Sequence, residues 1–135
     1  MAFQNRNENV TFIASTNLNQ HYFVDLSATT HKCTIAASGG GYGILQNTPL
    51  AGEHATVTIR GAAKVHAGAA VSVGHYITAA GSGFALGATG YSTATGSAGT
   101  FLTEMAVLGT ALTAAASGSV FTMEFNPHIT QVVSA

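Results

Sequence analysis

Six histidines are the residues of this sequence best suited to chemistry, because a neutral imidazole can bind a metal ion and titrates near neutral pH. No two of them have the HxH or HExxH spacing of a metal site, and a single cysteine excludes paired thiolates. The histidines are scattered over separate predicted segments: His21, His31, His54, His66, His75 and His128. We therefore expect structural or surface histidines, no bound metal and no cofactor.

The acidic residues give an equally thin basis for catalysis. Glu53 and His54 are adjacent and could exchange a proton, but no third group lies near them in the sequence to orient the pair. Asp25, Glu104 and Glu124 occur singly, without the close partner that glycoside hydrolysis needs. We expect no enzymatic activity.

The clearest pattern in the sequence is a repeat without gaps. The segment Gly43–Ile59 (GILQNTPLAGEHATVTI) reappears 66 positions later as Gly109–Phe125 (GTALTAAASGSVFTMEF). The matching pairs are Gly43 and Gly109, Gly52 and Gly118, Thr56 and Thr122, and Ile59 and Phe125. Each copy opens on a glycine, passes through an Ala-Gly or Ser-Gly turn and leaves as an alternating strand. This order predicts two similar β-hairpins.

Period-two alternation, typical of β-strands, dominates the rest of the sequence. Runs rich in β-branched and aromatic residues are separated by Asn, Ser, Thr and Gly. The predicted strands are Val10–Ser15, His21–Ser27, Lys32–Ala37 and Glu104–Leu112, with a terminal strand or arm in ITQVVSA. Gly81–Gly99 is predicted to be a long loop, and Pro127 a turn. We predict an all-β fold, a small barrel or sandwich of short strands with two repeated hairpins and extended terminal segments.

Charged side chains are scarce. They form 7% of the 135 residues and leave a net charge of −1, whereas soluble domains average about 25% charged residues. With a mean hydropathy of +0.32, the surface must consist of Ser, Thr, Asn, Gln and Gly, or be covered by partners. The four basic residues form no stripe for counterion release, so we expect no nucleic-acid partner.

Nothing in the sequence predicts secretion or a membrane partner. No run reaches about 18 apolar residues, and the amino terminus lacks the basic and apolar regions of a signal peptide. Cys33 lies in a strand-like run and has no second cysteine to pair with, which favours a buried free thiol. We expect assembly in a reducing cytoplasm.

The amino-terminal segment differs from a solvated tail. Residues Met1–Thr16 carry two charges, on Arg6 and Glu8, and several large apolar side chains. The candidate contact residues are Phe3, Val10, Phe12 and Ile13. We predict that residues 1–20 form an arm or first strand packed on a partner or a neighbouring copy. Residues 21–135 are predicted to form one β-rich domain.

The stretch from Gly43 to Ala79, extended by the second hairpin to Phe125, resembles the head decoration (capsid cement) proteins of tailed bacteriophages. The matching positions are Gly43, Ile44, Gly52, Glu53, Val57, Gly61, Val65, Ala67, Gly68, Ala69, Val71, Gly74, Ile77, Thr78, Gly109 and Gly118. Two positions depart from the pattern. His75 stands where these proteins often have an acidic residue, and Ser119 replaces the glutamate of the hairpin.

This resemblance implies a β-rich homotrimer on the exterior of a mature phage capsid, at threefold positions. There it would bind the major capsid protein and hold neighbouring subunits together against the pressure of packaged DNA. Structural turns are expected at Gly43, Gly52, Gly68, Gly74, Gly109 and Gly118. The implied location is the virion, with assembly in the host cytoplasm.

Two other functions remain open on the sequence. A trimeric phage fibre, tail or receptor-binding module fits the loops rich in glycine and threonine, although tandem fibre repeats are absent. A small enzyme or ligand-binding barrel is opposed by the missing acid–base constellation.

Overall fold

Alternating apolar residues form strands along most of the described chain. The computed structural model describes residues 7–37, 40–87 and 101–134. Its elements are β1 (Asn7–Ala14), β2 (Phe23–Leu26), β3 (Lys32–Ile35), β4 (Gly43–Leu45), β5 (His54–His66), β6 (Tyr76–Ala79), a 3₁₀ turn (Gly81–Gly83), β7 (Ala85–Gly87), β8 (Phe101–Ala111) and β9 (Val120–Ser134). The predicted all-β fold is confirmed.

The first five strands close into a small barrel. β1 pairs with β3 in parallel and with β5 in antiparallel orientation, while β3 pairs with β2, β2 with β4, and β4 with β5. Each strand thus has two neighbours, so the ring leaves little open edge. We call this unit the first barrel.

A second ring continues from the first along the same long strand. The later half of β5 pairs with β9, β9 with β8, β8 with β6, and β6 with β7. A parallel bridge between Ala67 and Ala85 closes the ring. β5 therefore serves both units, and we call this one the second barrel.

The repeated segments form hairpins of identical register. Ile44 pairs with Thr58 as Thr110 pairs with Glu124, each residue 66 positions from its counterpart. The hydrogen bonds at the turns match as well. The Gln46 amide donates to the Thr56 carbonyl at 2.8 Å, and the equivalent Leu112 amide donates to the Thr122 carbonyl at 2.9 Å. The predicted pair of hairpins is confirmed.

The structural repeat is larger than the sequence repeat. Phe23 on β2 pairs with Ile44, and 53 positions later Tyr76 on β6 pairs with Thr110. The loops before these strands also follow one path, because Leu18 donates to the Pro49 carbonyl as Val71 donates to that of Ala115. Between residues 7–26 and 60–79 only Ala14 and Ala67 are identical, which hides this duplication in the sequence.

Each barrel has a core built from equivalent positions. The first core contains Ala14, Leu18, Val24, Cys33, Leu45, Ala55 and Val57, so the predicted burial of Cys33 is confirmed. Their counterparts in the second core are Ala67, Val71, Ile77, Ala85, Ala111, Phe121 and Met123. Phe23, Ala36 and Ile44 of the first barrel also join the second core, and this apolar contact holds the two units together.

Two local predictions differ from the structure. Pro127 lies inside β9, where strand partners jump from Phe125 to His128, so it occupies a bulge instead of a turn. A proline is tolerated there because the bulge needs no ladder amide. Within the predicted loop, β7 forms by pairing with β6, and residues 88–99 lie outside the described chain.

Two of the glycines expected at turns lie within strands. Gly43 is in β4 and Gly109 in β8, where neighbouring atoms leave little space for a Cβ. Gly52, Gly74 and Gly118 lie outside the strands with φ of +85°, +87° and +85°. Gly68 follows the end of β5 and donates its amide to the Ala85 carbonyl at 2.7 Å. Among the described residues, no helix is long and apolar enough to cross a membrane.

Candidate functional site

The structure brings two of the histidines close together. The His21 and His66 rings lie 6.1 Å apart between centroids, and Tyr22 stacks on His66 at 4.6 Å. Over residues 7–37, 40–87 and 101–134, no three His, Cys, Asp or Glu side chains are grouped as a metal site. The cluster therefore contributes aromatic packing at the junction of the two barrels.

His21 occupies a backbone position that the second barrel gives to glycine. Its φ is +69°, and the equivalent Gly74 has +87°. Both amides make the same bond, His21 to the Leu45 carbonyl and Gly74 to the Ala111 carbonyl. Burial lowers the pKa of His21, and the nearby charges of His66 and Lys64 lower it further. A strained histidine that resists protonation thus sits beside the junction.

This position predicts a pH-dependent stability. Because the folded pKa of His21 lies below the usual 6.5, the unfolded chain binds its proton more readily, and stability falls as pH drops below about 6.5. At pH 7.5 we expect the free energy of unfolding of His21→Gly to lie within about 1 kcal/mol of the wild-type value. Glycine adopts the left-handed backbone without strain, and this gain offsets the larger conformational entropy that glycine loses on folding. Between pH 7.5 and 5 the variant should lose less stability.

Urea denaturation at several pH values measures this difference. The matched control is His31→Gly, which makes the same backbone change at an exposed residue with φ of +57°. Equal loss of stability in wild type and His21→Gly on acidification would contradict the role of His21.

The carboxylates of the first barrel hold backbone in place. Glu53 Oε1 accepts a hydrogen bond from the Leu50 amide at 2.8 Å, across the hairpin turn. Asp25 accepts hydrogen bonds from the amide of Ala37 at 3.1 Å, shortly before the glycine-rich run, and from the amide of Gly41 at 2.6 Å, within that run. These hydrogen bonds give both carboxylates a structural role, which is to stabilise the backbone of the neighbouring turns.

The predicted contact residues lie on β1, which is a strand of the first barrel. Val10 and Phe12 pack against its core, and Ile13 is half-buried. The Phe12 ring meets the exposed Tyr42 edge-on at 5.6 Å. Phe3 lies outside the described residues. Contact of this segment with a capsid subunit stays a prediction.

The second barrel has an exposed apolar surface that the sequence patterns did not reveal. Phe23 and Ile44 of the first barrel pack on the second barrel. The equivalent residues of the structural repeat are Tyr76 and Thr110, which lie on the outside of the second barrel. We define the outer face of the second barrel by four residues: Val73, Tyr76, Leu112 and Val120, which are 64%, 42%, 38% and 38% exposed. The strand position that Phe23 uses to contact the second barrel is thus occupied in the second barrel by Tyr76, which lies at the surface.

Comparison with solved structures agrees with this architecture. No protein family model matches the sequence, and no curated protein matches it. Among solved structures, the chain is similar to the head fiber gp8.5 N base of bacteriophage phi29, with a TM-score of 0.64 and 18% sequence identity. The likeness covers 90% of this chain and 95% of that one, which shows a shared fold.

Proposed function

We propose that this protein is a structural component on the exterior of a tailed-bacteriophage head. It binds the major capsid protein there and stabilises contacts between capsid subunits, as a decoration or cement protein does. It assembles in the host cytoplasm as a homotrimer, and it acts by contact, without catalysis.

The observation that carries this proposal is the fold likeness over 90% of the chain to a phage head fibre base. The resemblance of Gly43–Phe125 to decoration proteins is independent support, since it rests on residues and spacing. The scarcity of charge, at 7% of residues, suits a protein whose surface is covered by copies and a capsid lattice.

The outer face of the second barrel is the surface best suited to this binding. Its apolar residues are exposed, and the repeat counterpart of Tyr76 is Phe23, which is buried in the contact between the two barrels. Because the protein has few charged side chains, its association relies on the burial of apolar area and on backbone hydrogen bonds. Binding should therefore weaken little between low salt and about 0.5 M salt, where exposed charges are almost fully screened.

A second function is favoured by the name of the structural neighbour, a head fibre base. In this alternative the chain is a trimeric fibre or receptor-binding module whose base sits on the capsid. Both functions share attachment to the head. The two functions differ in their effect on the shell. A bound cement protein raises the temperature at which the shell comes apart, whereas a bound fibre does not.

Cosedimentation with shells of the encoding phage, prepared without this protein, tests the attachment. We expect saturable binding that Leu112→Glu abolishes and Leu50→Glu retains, since Leu50 is exposed on the hairpin turn of the first barrel, away from the outer face. Electron microscopy should show clusters of three. Absence of binding by the wild type, or scattered single copies, would refute the proposal.

The amino-terminal contact is tested by deleting residues 1–6. Because β1 begins at Asn7, the barrel keeps its strand and should unfold at the wild-type temperature. We expect shell binding to fall at least tenfold. Unchanged binding by this folded variant would remove the segment from the interface.

A further inference from the structure

A cavity of about 360 Å³ lies at the junction of the two barrels. The loop between β1 and β2 lines one side, and the 3₁₀ turn before β7 lines the other. Its walls include Thr16, Asn17, Asn19 and Tyr22 from the first barrel, and Ser82 and Phe84 from the second. This volume falls at the lower end of the about 300–1,000 Å³ of small-molecule sites.

The walls combine uncharged polar groups with aromatic rings and with the aliphatic side chains of Leu18 and Ile35. Among the described residues, none of the lining side chains is a carboxylate, an amine or a guanidinium. Tyr22 is held between His66, stacked at 4.6 Å, and Phe84, which meets it edge-on at 5.1 Å. Asn17 Oδ1 accepts the Ala51 amide at 2.9 Å, which orients its side chain. Amide and hydroxyl groups therefore stand beside a fixed aromatic surface.

The second barrel shows that the fold does not require these side chains. Its equivalent loop makes the same backbone hydrogen bonds, yet Ala70, Ser72 and His75 replace Asn17, Asn19 and Tyr22. Leu18 and Val71 are buried in both loops and anchor them. The side-chain amides of Asn17 and Asn19 and the phenol of Tyr22 thus occur only in the loop of the first barrel, and the equivalent loop of the second barrel folds without them.

The other wall contains a strained residue, Ser82. Ser82 has φ of +66° and Gly83 of +77°, two left-handed residues in succession. Gly83 lies so close to the first barrel that a Cβ would stand 2.7 Å from the Phe23 carbonyl oxygen and 2.8 Å from Ile35 Cδ1. Backbone strain of this kind is common at ligand sites, and here it presents Ser82 and Phe84 to the cavity.

We propose that this cavity binds a neutral saccharide. A pyranose offers apolar C–H faces that pack on aromatic rings, and hydroxyls that pair with amides and other hydroxyls. The lack of charge on the described lining residues disfavours phosphates, carboxylates and amines, which would be desolvated without a partner. The inference does not depend on attachment to a phage head, because it rests on this cavity alone.

Saturation-transfer NMR on the full chain tests the inference with methyl glucoside, methyl galactoside, N-acetylglucosamine and lactose. We expect at least one to give a saturable signal at about 1–10 mM, strongest at ring C–H protons. The variant Asn19→Ser with Tyr22→His copies the second loop and should weaken binding at least tenfold while staying folded by circular dichroism, with a melting temperature lowered by the loss of the Tyr22 ring contacts. The control Ser72→Ala alters the equivalent loop and should bind as the wild type.

Two results would overturn the inference. The first is the absence of a saturable signal from all four sugars with the wild type. The second is wild-type binding by the double variant. Should that variant fail to fold, Asn19→Ala takes its place, since this exposed side chain makes no hydrogen bond within the described chain. Wild-type binding by folded Asn19→Ala would count against the site in the same way.

Discussion

We expect Gly109→Ala to lower the free energy of unfolding by about 3 kcal/mol or more. Gly109 has φ of +153° within β8, and a Cβ there would overlap the Glu124 carbonyl oxygen and lie 2.9 Å from Met123 Cε. Two costs therefore add, an unfavourable backbone angle and a clash with the backbone of β9, which cannot move without breaking its ladder. Urea denaturation followed by circular dichroism measures the loss.

Two control glycines separate these costs. Gly118 has φ of +85°, but no atom of the described residues lies within 4 Å of a Cβ there, so Gly118→Ala should cost only about 1 kcal/mol. Gly81 has no positive φ, and no atom in the described part of the chain lies close to a Cβ there, so Gly81→Ala should change stability by less than about 0.5 kcal/mol. Equal losses at all three positions would show that close packing at Gly109 is not the cause.

We expect Phe23→Ala to destabilise the protein by about 3–5 kcal/mol and to weaken its cooperative unfolding. Phe23 belongs to β2 of the first barrel but is fully buried against the second, where its ring lies 6.1 Å from that of Phe125. Truncation leaves a cavity at the contact that joins the units. Fluorescence and circular dichroism should then report different transition midpoints.

The matched control is Tyr76→Ala, at the same position of the second barrel. Tyr76 is 42% exposed on the outer face, and its loss should cost about 1 kcal/mol or less, with one coincident transition. A loss for Phe23→Ala no greater than for Tyr76→Ala would contradict the role of Phe23 as the link between barrels.

The hairpins could be predicted because their information is local. Turn residues and alternation lie within 17 consecutive positions, and the spacing of Gly52 and Gly118 survives in both copies. The predicted strand Glu104–Leu112 within β8 also followed from the repeat, although this segment contains several residues of high helical propensity, such as Met105, Ala106 and Leu108. Pro127 misled the prediction, because a proline marks a turn in most contexts and a bulge only where a partner strand skips its amide.

The candidate surfaces were harder to predict. Phe23 and Tyr76 are aromatic residues at equivalent strand positions, but one is buried and the other 42% exposed. Their difference comes from a neighbouring barrel, which no pattern along the strand can reveal. The cavity lined by Tyr22 and Phe84 is likewise formed by residues 62 positions apart.

By itself the sequence determined an all-β chain, two equivalent hairpins, a buried Cys33 and a surface short of charge, since each depends on residue type and short-range spacing. The tertiary structure alone decided that the duplication extends to two whole barrels sharing β5. Core packing asks only for apolar side chains of suitable size, so equivalent positions such as Leu18 and Val71 diverged in identity while keeping their place. The duplication is therefore visible in the long-range pairing of the strands, although it can no longer be seen in the residue identities.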